Sequence, residues 1–89
     1  MLGPDDQSLP VLRVYSRPGC HLCEQLVEEM QPIVRGHLQV EVVDIDSRFD
    51  WKKKFGIRIP VVEFRGQFVC QYTLDVAAIR EILAELSGS

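Results

Sequence analysis

A switch of hydrophobic period across four residues constrains the fold of this chain more than any other feature. Val11 to Tyr15, "VLRVY", is β-branched and aromatic and predicts a strand. "SRPG", residues 16–19, is a turn signal. From Cys20 onward, Leu22, Leu26, Val27, Met30, Ile33 and Val34 recur at helical spacing, with Glu24, Glu28 and Glu29 between them. Pro32 removes one helical hydrogen bond and crowds the carbonyl four residues back. A kink or an early end is therefore expected there, with Gly36 closing the helix.

The rest of the chain continues this alternation. "LQVEVVDID", residues 38–46, predicts a second strand, and Asp46 or Ser47 can cap a short helix that runs to about Phe55 and stops at Gly56. "IPVVEF", residues 59–64, predicts a third strand beginning at a proline. Arg65-Gly66 is a tight turn and "QFVCQY" a fourth strand, so these two form a hairpin. Thr73 or Asp75 can cap a last helix with Val76, Ile79, Ile82, Leu83 and Leu86 on one face. The order is β-α-β-α-β-β-α, an α/β arrangement. It predicts a parallel first strand pair and a four-stranded mixed sheet flanked by helices.

Length and charge bound what such a domain does. The 89 residues suffice for one domain, expected over residues 11–87. A chain this short buries only roughly 60% of its unfolded surface, so the core must be continuous. The formal net charge of −3 argues against nucleic acid or an anionic membrane as a partner. The one basic cluster, Lys52-Lys53-Lys54, reads as a solvated helix face. No stretch approaches the ~20 apolar residues of a membrane span. "MLGPDDQSLP", residues 1–10, is acidic and lacks the apolar core of a signal peptide, so a loose tail and a cytoplasmic location are expected. There, a Cys-x-x-Cys pair signifies redox or metal chemistry more often than a structural disulfide.

Cys20 and Cys23 therefore carry the chemistry. A cysteine attacks as its thiolate. Cys20 at a helix start meets unpaired N–H groups and the positive end of the helix dipole, both of which favour the anion. Arg17 and His21 are cations that push the same way. Cys23, one helical turn on, lies on the same side and within reach, the arrangement disulfide exchange requires. Two cysteines are also half of a tetrahedral metal site, but no second pair has ligand spacing, and no metal ligand is assigned. His37 reads as an exposed loop residue. Cys70, on the face shared by Phe68 and Tyr72, reads as buried filler. Taken by itself, Pro60 simply starts a strand after a trans bond. Three readings stay open at this point. They are a redox couple, a metal or iron–sulfur module shared between two chains, and a non-enzymatic protein that binds thiol-bearing partners.

Over residues 11–86 the sequence resembles the glutaredoxins of the thioredoxin superfamily. The resemblance is carried by "VYSRPGCHLC", "VDID", "RIPVVEF" and Gly66. It implies a thioredoxin-like fold and a dithiol–disulfide oxidoreductase with Cys20 as nucleophile and Cys23 resolving. It further implies that Arg17 helps hold the thiolate and a glutathione carboxylate, and that the Ile59-Pro60 bond is cis and pairs its backbone with the substrate. The family has proline and an aromatic where this chain has His21 and Leu22, positions that tune the thiolate. The family's Gly-Gly before the last helix is replaced by Cys70-Gln71, which leaves Thr73 and Asp75 to anchor a ligand carboxylate. The implied partners are protein disulfides or glutathione as co-substrate, with no bound cofactor and a monomeric chain.

Overall fold

The first strand, β1 (Val11–Ser16), lies in the interior of the sheet in the computed structural model, which describes residues 9–88. It pairs in parallel with β2 (Gln39–Asp44) and antiparallel with β3 (Val61–Phe64). β4 (Gln67–Gln71) completes the hairpin and gives the order β2-β1-β3-β4. The helices are α1 (His21–Val34), α2 (Phe49–Phe55) and α3 (Val76–Gly88). The element order and mixed sheet are those expected of a thioredoxin-like fold. The tail expected over residues 1–10 falls, apart from Leu9 and Pro10, outside the described residues. Pro10 already belongs to the pairing, since its carbonyl accepts from the Gln39 N–H at 2.8 Å.

The two faces of the sheet bury different side chains. Leu12 and Val14 of β1, Val62 of β3 and Cys70 of β4 pack against Leu26, Met30 and Val34 of α1 and Ile79 of α3. On the opposite face Tyr15 and Val61 meet Ile45 and Phe55, with half-buried Trp51 beside them. The Tyr15 ring stacks on Phe55 at 4.0 Å and meets Trp51 edge-on at 5.6 Å. Its hydroxyl donates to the Glu63 carboxylate at 3.0 Å, and burial raises its pKa. Lys52, Lys53 and Lys54 are exposed on α2.

Pro32 lies inside α1, which ends two residues later at Val34. Gly36, at φ 82°, then reverses the chain so that both His37 and Leu38 donate to the Val34 carbonyl. That conformation is one glycine adopts at no steric cost. His37 is exposed.

Local interactions override the sequence pattern at four places. Leu22, expected on the inward face of α1, is 52% exposed, and Cys23 takes the inward place. The helix starts at His21, and from there the buried series is Cys23, Leu26, Met30 and Val34. The second strand ends at Asp44, short of the expected residue 46, because the Asp44 carboxylate accepts from the Asp46 N–H at 2.8 Å and turns Ile45–Ser47 into a single 3-10 turn. Neither Asp46 nor Ser47 caps α2; its N-cap is Arg48, which makes no side-chain capping bond. Cys70 does not share a face with Phe68. Val62 pairs with Cys70 and Glu63 with Phe68, so β4 spends one extra residue there. This bulge turns Cys70 inward and leaves Phe68 63% exposed on the other side.

Of the two candidate caps for α3, Asp75 is the one used: its carboxylate accepts from the Ala78 N–H at 3.0 Å. Asp75→Ala is expected to cost about 1 kcal/mol. The loss should appear as a lower urea midpoint with an unchanged slope.

Candidate active site

Strand register gathers the candidate residues at one end of the sheet. Ser16 pairs with Asp44, Tyr15 with Val61, and Val61 with Gln71. The C-terminal ends of β1, β2 and β4 and the start of β3 therefore lie side by side. The turn to Cys20, the Asp44–Ser47 turn, the Ile59-Pro60 segment and residues 72–75 all emerge there.

The turn itself is built for the cysteine. Gly19 has φ 82°, and the Cys20 N–H donates to the Arg17 carbonyl at 3.1 Å. Cys20 is the extended N-cap of α1, a position where serine or aspartate ordinarily supplies an oxygen. Here its sulfur takes that role, accepting from the Cys23 N–H at 3.2 Å. An N–H aimed at the sulfur favours the thiolate when the cysteine is reduced. Cys20 and Cys23 are joined as a disulfide with their Cα atoms 5.3 Å apart. Cys23 is 1% exposed, whereas Cys20 is partly open to solvent. One sulfur is thus presented and the other held behind it.

The surrounding candidates fall into two groups. Leu22, between the two cysteines in sequence, shares a small cleft with Tyr72 and Thr73. The Tyr72 N–H donates to the Pro60 carbonyl at 2.8 Å, and the Ile59–Pro60 bond is cis, with Pro60 buried. Other side chains are directed elsewhere. The His21 imidazole is almost wholly exposed and lies 3.9 Å from the Glu24 carboxylate. The Asp75 carboxylate is used within α3. The Arg17 guanidinium, expected to serve the thiolate and a ligand carboxylate, is paired with Asp46 through two contacts of 3.0 Å. From the sequence Asp46 reads only as a helix cap. Its one signal was its place at the end of "VDID", and that contained no indication of the partner. Cys70 stays apart from the pair on the core face, where burial pushes its thiol pKa up.

A β2-β1-β3-β4 sheet with a Cys-x-x-Cys at the start of its first helix defines a thioredoxin-superfamily protein of glutaredoxin-like type. Residues 11–84 match the model of the family described as Glutaredoxin-like domain (DUF836), and the chain belongs to that family. A structural-genomics target protein from X. campestris is similar at a TM-score of 0.65 and 29% identity. That match covers 83% of this chain and 96% of that one. Thioredoxin 1 from Thermosipho africanus is similar at 0.59 and 16% identity, covering 89% and 99% of the two chains. A mutant thioredoxin from Halobacterium salinarum gives 0.56 and 19%, covering 90% and 76%. Among the described residues, no helix is long and apolar enough to cross a membrane.

Proposed function

We propose that the protein is a dithiol–disulfide oxidoreductase acting on protein disulfides or glutathione disulfide. The Cys20 thiolate attacks one sulfur of the substrate disulfide; that S–S bond breaks, and one substrate thiolate leaves. The Cys23 thiolate then attacks the Cys20 sulfur, forming the Cys20–Cys23 disulfide and expelling the second thiolate. Two electrons pass to the substrate, and a thiol donor such as glutathione returns them.

The observation that carries this reading is the unequal pair: a partly open Cys20 that caps the helix and a buried Cys23 within bonding reach of it. A cysteine pair serving only as a staple has no need of such asymmetry. Leu22 and Thr73, which line one small cleft, and the cis Ile59-Pro60 segment are assigned as the substrate-binding rim on the strength of the family membership.

Equilibration with glutathione redox buffers, followed by acid quench and mass analysis, tests the proposal. The expected result is one reversible two-electron transition between dithiol and Cys20–Cys23 disulfide, about 30 mV of potential corresponding to each tenfold change in the equilibrium constant. A pair that stays in one state at every buffer ratio would overturn it.

A further inference from the structure

Arg17 stands three residues before Cys20, and its backbone carbonyl accepts from the Cys20 N–H. With Pro18 and Gly19 it lines the cavity beside that turn, so its guanidinium is a cation on this flank that could attract a substrate carboxylate. That capacity is already taken. Nε donates to Asp46 Oδ2 and Nη2 to Asp46 Oδ1, each at 3.0 Å. This two-point fork is the geometry with which a guanidinium would otherwise receive a ligand's carboxylate. Asp46 is held for the task from the β2 side, since its own N–H donates to Asp44 Oδ1 at 2.8 Å. Arg17 in turn keeps the Asp46 carboxyl below the usual carboxylate range, so it is ionised at neutral pH.

The cavity beside this turn, about 290 Å³, is lined by Arg17, Gly19, Glu24 and Asp44 among others. With Asp46 cancelling the charge of Arg17, Glu24 and Asp44 leave this flank negative. His21 faces Glu24, and Lys52 is near enough to Asp46 to help hold its carboxyl in the ionised form.

We propose that Asp46 sets the charge selectivity of Cys20. It occupies the guanidinium that would receive an anionic disulfide, and so turns the site toward neutral or cationic disulfides and away from glutathione disulfide. The inference rests on the oxidoreductase reading above and concerns its substrate class. In each case the chemistry is the same exchange: the Cys20 thiolate forms a bond to one substrate sulfur, and the other sulfur leaves as a thiolate.

Reduced wild-type protein and Asp46→Asn are mixed with three small disulfides, and the products are quenched with acid and weighed. Glutathione disulfide is anionic, bis(2-hydroxyethyl) disulfide neutral and cystamine cationic. The readout is the ratio of rate constants for the charged and neutral disulfides, which cancels any general change in Cys20 reactivity. In Asp46→Asn the glutathione-to-neutral ratio is expected to rise roughly three- to fivefold, the scale of an exposed ion pair. The cystamine-to-neutral ratio is expected to fall. Adding Arg17→Gln to Asp46→Asn should remove the gain, because the two changes act through one contact. The gain should also shrink at about 1 M salt. Ratios equal in wild type and Asp46→Asn would overturn the inference while leaving the oxidoreductase reading in place. No reaction of either protein with any of the three disulfides would overturn that reading, and the inference with it.

Discussion

Cys20→Ser is expected to bring disulfide exchange down to the uncatalysed background, while Cys23→Ser keeps the first half of the reaction. A serine hydroxyl at the α1 N-cap accepts the same N–H bond, so the helix start survives the change. The hydroxyl is not ionised near neutral pH and cannot form a disulfide, so the chemistry does not survive. Cys23→Ser leaves the partly open Cys20 sulfur free to attack but removes the thiolate that would release the product. It should therefore accumulate one mixed disulfide per chain at Cys20, visible by mass after acid quench. The asymmetry follows from exposure, since Cys23 is 1% accessible and reaches only what is already bonded to Cys20. Trapping by Cys20→Ser with none by Cys23→Ser would reverse the two roles.

Ile79→Ala should destabilise the fold strongly. Ile79 is the one buried side chain of α3, 0% exposed against Leu12, Leu26 and Val62, whereas Ile82, Leu83 and Leu86 are half-buried. Truncating a fully buried isoleucine removes its transfer free energy and leaves a cavity, together about 2–5 kcal/mol. Against a total of about 5–15 kcal/mol, that is a large share for a domain of this size. Each 1 kcal/mol lowers Tm by roughly 4–8 °C at this chain length. A two-state thermal melt of the reduced protein checks it. A loss no larger than that from Ile82→Ala would show that α3 is held along its whole length and not pinned at one residue.

The sequence was most informative where a property repeats and least where a single contact decides. Strand and helix periods along residues 11–34 placed β1 and α1, and the Cys-x-x-Cys placement made the pair the leading site. The order of elements pointed to a parallel first pair and a hairpin, but by itself it did not fix the strand order β2-β1-β3-β4. What escaped were interactions that depend on the finished fold. The alternation of "QFVCQY" put Phe68 and Cys70 on one face, but the bulge opposite Val62 and Glu63 separates them. Leu22 fitted the helical series until the helix start at His21 turned Cys23 inward. Asp46 reaches Arg17 only because β2 lies parallel to β1 with Ser16 beside Asp44, a relation that no local window contains.

The interior position of β1 bears on how the chain is made. As synthesis proceeds from the N-terminus, β1 emerges first, yet its two edges are filled at different times. Gln39–Asp44 covers one edge once α1 has formed, but the other waits for Val61–Phe64. A nascent chain ending near residue 55 would carry a two-stranded sheet with β1, the future centre, as a naked edge able to pair with another chain. Closure by β3 joins Leu12 to Phe64 across most of the sequence, the kind of long-range pairing that slows folding. The turn that carries Cys20 thus emerges ahead of the other three strands and is among the last segments to find its full surroundings.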